Sequence, residues 1–199
     1  EDRLFDEVNN ANLEDVRSLL GQIKLPDEIE TRSSITVSMS LVQHTMALLT
    51  GDVERAQSLI DGLESLSHRH DPIVLHARLK AVLSSSTPTE GDHTGMYEQA
   101  VAAQPSPFHK AVVGLTFAEH LVRTGANSAL KVFETLPPPD DWPEKGTPHH
   151  RYAARWWYLK GHLDASTSAT ALREAARCFR QAGCVNAARS ATQRLHRVL

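Results

Sequence analysis

The chain has 199 residues, 41% hydrophobic and 23% charged, ordinary for a folded domain and enough apolar chain to bury a substantial core. No run approaches the ~18 consecutive apolar residues of a membrane span, and without a basic stretch followed by an apolar one near Glu1 no signal peptide is expected. The net charge of −3 hides a gradient: residues 1–100 carry 8 Lys+Arg against 17 Asp+Glu, whereas residues 146–199 carry 9 against 2.

Taken from its first residue, Glu1, the chain shows apolar residues at helical spacing almost everywhere and the alternation of a strand almost nowhere. Leu4, Phe5 and Val8 begin the pattern, and the missing initiator Met leads us to expect a fragment of a longer protein. Ala11-Asn12 forms a turn before Leu13, Val16, Leu19 and Leu20. After Pro26, with Asp27, Glu28 and Glu30 suited to a helix N-terminus, the steps Ile35, Met39, Val42, Met46 and Leu49 predict one face of a long helix. Thr50-Gly51-Asp52 ends it: Gly51 suits a left-handed C-terminal residue and Asp52 an N-cap. Val53, Ala56, Leu59, Ile60 and Leu63 predict the next helix, antiparallel to the first across so short a turn.

A further hairpin fits Asp71–Ser84 and His93–Gln104, joined by the Ser/Thr/Pro/Gly-rich stretch 84–92. Gly125-Ala126-Asn127 then separates Val113, Phe117 and Leu121 from Leu130 and Phe133. Consecutive prolines, Asp140, Asp141 and Gly146 exclude helix across Pro137–Pro148, the softest point expected. Gly183 separates Leu172, Ala176 and Phe179 from Ala187, Ala188, Ala191 and Leu195. At each glycine or small-residue turn an apolar residue follows five positions later: Val16, Ala56, Leu130, Ala188.

These features predict an all-α fold of tandem antiparallel helical hairpins stacked as a short, tetratricopeptide-like (TPR-like) solenoid. About five hairpins are expected, in a single domain over 1–199. The turn spacing is longer and less regular than the ~34 residues of tetratricopeptide repeats. No one hairpin can bury its own apolar face, and stacking neighbours does so.

Candidate chemistry is sparse. Among eleven histidines, His68 and His70 point to different helix faces, His149 and His150 are adjacent, and Cys178 and Cys184 are six apart with Gly183 between. Zinc sites use tighter spacing and four convergent ligands, so no metal and no other cofactor is expected. Two cysteines cannot staple a secreted chain of this size, so a cytoplasmic protein is expected. Cys178 sits on an alanine-rich helix face as a buried thiol would, no G-x-S-x-G elbow occurs, and no enzyme is expected.

The aromatic cluster carries the one candidate surface. Trp142 falls in the proline-rich loop, and Trp156, Trp157 and Tyr158 share one helix. Tyr152, Trp156, Leu159 and Leu163 lie on one face, which predicts Trp156 in the core, and Ala154 and Gly161 offer a small stripe for a neighbouring helix. Arg151, Arg155, Tyr158 and His162 lie on another. That face reads either as the snorkelling rim of a core or as an accessible effector or partner surface, since aromatics and arginine anchor interfaces. The charge gradient likewise reads as solvated helix faces or as a basic end near nucleic acid or an acidic partner.

Ala171-Leu172-Arg173-Glu174-Ala175-Ala176-Arg177-Cys178-Phe179-Arg180-Gln181-Ala182-Gly183, followed by Ala187-Ala188-Arg189 and Leu195, resembles the last repeat before the DNA-binding domain of large ATP-binding LuxR-type transcriptional regulators, relatives of the maltotriose-responsive activator. Tyr97-Glu98-Gln99-Ala100, with Pro107-Phe108, Ala111, Leu115, Ala118-Glu119, Leu121 and Arg123-Thr124-Gly125, is similar to another repeat of that sensor region. The resemblance covers roughly 40–199 and implies a non-catalytic bacterial sensor arm. It would bind a protein or small-molecule effector and relay occupancy to ATPase and helix-turn-helix modules. Neither a G-x-x-x-x-G-K-[ST] phosphate loop nor a recognition-helix pair occurs in these residues, so DNA is expected to be met only through a separate domain. The competing reading is a scaffold or adaptor that holds a peptide or partner protein, with no part in transcription.

Overall fold

The computed structural model describes residues 29–63, 71–84, 90–143 and 146–199. The Ala11-Asn12 hairpin, Pro26 and the His68/His70 pair lie outside them. The described residues form α1 (Ile29–Leu49), α2 (Val53–Leu63), α3 (Pro72–Ser84), α4 (Glu90–Ala102), α5 (Pro107–Arg123), α6 (Ala129–Glu134), a 3-10 turn (Pro139–Asp141), α7 (Thr147–Leu163), α8 (Ser168–Gln181) and α9 (Val185–Val198), and no strand. Consecutive helices pack in adjacent pairs, the all-α hairpin architecture expected from the sequence.

One backbone device closes three of the helices. Gly51, Gly125 and Gly183 take φ of 77°, 70° and 74°. In each case the glycine N–H bonds the carbonyl three residues back, and the next residue's N–H bonds the carbonyl five back: Asp52 to Ala47 at 2.8 Å, Ala126 to Leu121 at 2.9 Å, Cys184 to Phe179 at 2.8 Å. This is the Schellman closure, which satisfies carbonyls that the helix end leaves open and needs a residue free to enter left-handed backbone. Asp52 also caps α2, accepting from the Arg55 N–H at 3.1 Å.

The described residues divide into two compact units, 29–103 and 104–199. In the first, Ile60 and Leu63 of α2 and Val74 and Ala77 of α3 form the core, with Val37 and Leu41 of α1 packed against them. This corrects the face assigned to α1. Val42 is exposed and Met46 and Leu49 are half-buried, whereas His44 and Ala47 are buried (Ile35 and Met39 side chains lie outside the description). Apolar residues surround α1, so spacing alone could not choose its inner face, and a histidine at its centre disguised the seam. Burial first, and then the nearby Lys80 charge, push His44 down to about 4, against a smaller opposite effect of its hydrogen bond to the Ala77 backbone.

In the second unit α5 packs on α6 and α7, α7 on α8, and α8 on α9. Its core joins Phe108 and Leu115 of α5, Phe133 of α6, Trp156 and Leu159 of α7, and Leu172 and Phe179 of α8. Leu130 corrects the five-residue rule, since it is exposed while Ala129 and Phe133 are buried. The turn after Gly125 runs to Ser128 before α6 begins, which rotates that helix relative to its counterparts. Residues 137–143 of the proline-rich segment lie inside this unit and carry a core residue. Trp142 is buried, its indole N–H donates to the Pro137 carbonyl at 3.0 Å, and its ring meets Phe108 and His149 edge-on.

Candidate interaction surface on the C-terminal helices

Helix α7 enters from Gly146, whose φ is 105°, with proline in its first turn. Its four candidate residues do not share one environment. Arg151 and His162 are exposed, as expected. Arg155 is turned toward α5, where its Nε and Nη2 donate to the two Glu119 carboxylate oxygens at 2.8 and 2.6 Å. Both side chains are largely out of solvent. Burial opposes the Arg155 charge, and the adjoining Glu119 carboxylate more than offsets that, holding the guanidinium above its ordinary range. A two-pronged pair of this kind fixes α7 against α5.

Tyr158 is only 2% exposed, which corrects its expected accessibility. Arg194 of α9 meets it. One guanidinium nitrogen donates to the phenol oxygen at 3.2 Å, another donates to His162 Nδ1, and the guanidinium carbon stands 5.5 Å from the Tyr158 ring centroid. The stripe Arg151–Arg155–Tyr158–His162 is therefore divided: Arg155 and Tyr158 lock α7 to α5 and α9, and Arg151 and His162 remain at the rim. Trp156 is buried as expected, against Phe133 and Trp157, with its indole N–H unpartnered.

Gly161 explains the close meeting of α7 and α8. A Cβ there would stand 3.0 Å from Leu172 Cγ, 3.2 Å from the Ser168 carbonyl oxygen and 3.3 Å from Ala171 Cβ. The Ser168 hydroxyl donates to the Gly161 carbonyl at 2.7 Å across the same seam. The link between the helices is tied by Asp164, which accepts from the hydroxyls of Ser166 at 2.6 Å and Thr167 at 2.7 Å. Those bonds, Ser166's first, hold the Asp164 carboxyl below its usual range.

The α8–α9 hairpin sorts its residues sharply. Ala171, Leu172, Ala175, Ala176 and Phe179 of α8 and Ala187, Ala188 and Ala191 of α9 are buried. Cys178 is buried too, and burial pushes its thiol up, the direction that quiets a nucleophile. The outward positions hold Arg173, Arg177, Arg180, Arg189 and Arg197, all exposed. Sequence reasoning counted this basic excess without assigning it to a face. The buried alanines at helical spacing carried the missing signal, because they put the intervening arginines outside. Glu119, Arg194 and His44 gave no such signal, since their partners lie on other helices.

Among the described residues no three His, Cys, Asp or Glu side chains converge as metal ligands do. No helix among them is long and apolar enough to cross a membrane. Comparison with known protein families, with characterised proteins and with solved structures gave no match to this chain.

Proposed function

We propose that the chain is a non-catalytic sensor and interaction arm of a LuxR-type bacterial transcriptional regulator. It receives a protein or small-molecule effector and relays occupancy to ATPase and helix-turn-helix modules. The observation that supports this reading best is the α8–α9 hairpin. The stretch that resembles the last sensor repeat, 171–195, is a closed hairpin that buries Ala171, Ala175, Ala176, Ala187, Ala188 and Ala191, with Gly183 at the turn. A hairpin packed on one side and charged on the other suits the position that resemblance gives it, between a repeat array and a following domain.

A relay also needs neighbouring helices that move together. Arg155–Glu119 and Arg194–Tyr158 couple α7 to α5 and to α9 through charged and hydrogen-bonded contacts rather than apolar packing alone. Reading the gene through and beyond the Leu199 codon tests the proposal. A helix-turn-helix pair encoded within the next few dozen codons is the expected result, and a frame that continues without one would overturn it in favour of a scaffold that serves no promoter.

A further inference from the structure

We infer that the outward face of the α8–α9 hairpin binds the phosphate backbone of duplex DNA. On α8, Arg173, Arg177 and Arg180 stand at four- and three-residue steps, opposite the buried alanines. On α9, Arg189 and Arg197 stand about two turns apart on the exposed side, with exposed Gln193 between them. Arg177 is engaged by Glu174 at 2.8 Å and Gln181 at 3.0 Å. Arg173, Arg180, Arg189 and Arg197 make no ion pair among the described residues. Glu174 is the sole acidic residue between 168 and 199, and Arg177 already answers it.

The residue types favour phosphate over an acidic protein. Guanidinium presents paired donors that match phosphate oxygens, and every basic residue of this hairpin apart from His196 is arginine. The remaining exposed positions include Thr170, Gln181, Asn186 and Gln193, amides and a hydroxyl of the sort that also donate to phosphate. Arginines that anchor a protein interface stand beside aromatic or apolar residues at its centre. The exposed large apolar residues here, Val185, Val198 and Leu199, lie at the ends of α9.

Duplex is favoured over single strand because this hairpin exposes no Phe, Tyr or Trp as a base-stacking platform, its one such ring, Phe179, being fully buried. The row from Arg173 to Arg180 spans about 10 Å, over which one DNA strand presents about three phosphates. The contact is non-specific, beside whatever domain reads the base sequence. The choice of DNA over RNA rests on the regulator reading; the charge arrangement does not.

Fluorescence anisotropy of a labelled, arbitrary-sequence DNA duplex titrated with the 199-residue chain tests the inference. With about four phosphates neutralised, affinity should fall about a hundredfold between roughly 50 and 200 mM salt. Arg189→Gln should weaken binding and reduce the logarithmic salt slope by about one. The combined Arg173→Gln, Arg180→Gln, Arg189→Gln and Arg197→Gln variant should lose binding while its circular dichroism stays that of the parent, since all four side chains are exposed. Arg123→Gln, an exposed arginine of α5, should bind as the parent does. An RNA duplex should bind no more tightly than the DNA. The inference is overturned by no binding at the lowest salt, by parent-like binding of the combined variant, or by tighter binding of single-stranded DNA, duplex RNA or polyglutamate. Duplex binding through these arginines in a protein that regulates no transcription would remove the regulator reading and leave the contact standing.

Discussion

Tyr158 puts its ring into a seam and leaves its phenol oxygen under the Arg194 guanidinium, so its removal should act on folding before it acts on any partner. Tyr158→Ala should cost about 3 kcal/mol or more, as truncating a buried aromatic does. Tyr158→Phe, which loses the hydrogen bond alone, should cost about 1 kcal/mol. Arg151→Ala, at the exposed end of the same stripe, should stay within about half a kcal/mol. Denaturant melts of the three variants check the order, and a Tyr158→Ala midpoint equal to that of Arg151→Ala would contradict the buried placement. His44 makes the second residue-scale case. Its folded value of about 4 lies below the ordinary 6.5, so the unfolded chain takes up a proton first as the solution is acidified. The stability tied to neutral His44 is present above about pH 6.5 and is lost as the pH falls toward 4, amounting to about 2 kcal/mol by about pH 5. Melts across that range should show His44→Leu losing less stability than the parent by this amount. Equal losses would mean that the imidazole is not held in the core.

At the scale of helices, the account rests on close approach. Ala56 and Ala188 are buried in their hairpin seams, so Ala56→Leu and Ala188→Leu should each overpack and cost about 1–3 kcal/mol. Gly161→Val should cost at least as much, because the branched side chain meets Leu172, Ala171 and the Ser168 backbone together. Thermal melts showing any of the three unchanged would place that hairpin in another register. The helices and their turns were legible in the sequence where one residue type does one job. Gly51, Gly125 and Gly183 marked chain reversals, and Leu172, Ala176, Phe179, Ala187, Ala188 and Ala191 marked a buried face. Legibility failed for α1, where apolar residues occur all round and His44 takes a core position. It failed for α6, where an added turn shifts the phase and leaves Leu130 outside. The candidate face on α7 was half legible. Helical spacing put Arg151, Arg155, Tyr158 and His162 on one face, but the environments of Arg155 and Tyr158 depend on Glu119 and Arg194, each 36 residues from its partner.

At the scale of the molecule, the first unit joins its core through α2 and α3, and the second is held by α7, which meets α5, α6 and α8. Polar pairs link α7 to α5 and to α9, so in the proposed regulator an effector bound at α7 would have a physical route to the last hairpin. The proposed regulator needs that hairpin to lie near DNA, and its arginines face outward where a neighbouring duplex would meet them. Chromatin immunoprecipitation of the protein expressed from its whole gene in its own host tests whether it regulates transcription. Enrichment at discrete promoter sites, changing when growth conditions change, is the predicted result. Recovery of genomic DNA at background level under every condition would contradict the regulator reading and leave an adaptor built from helical hairpins.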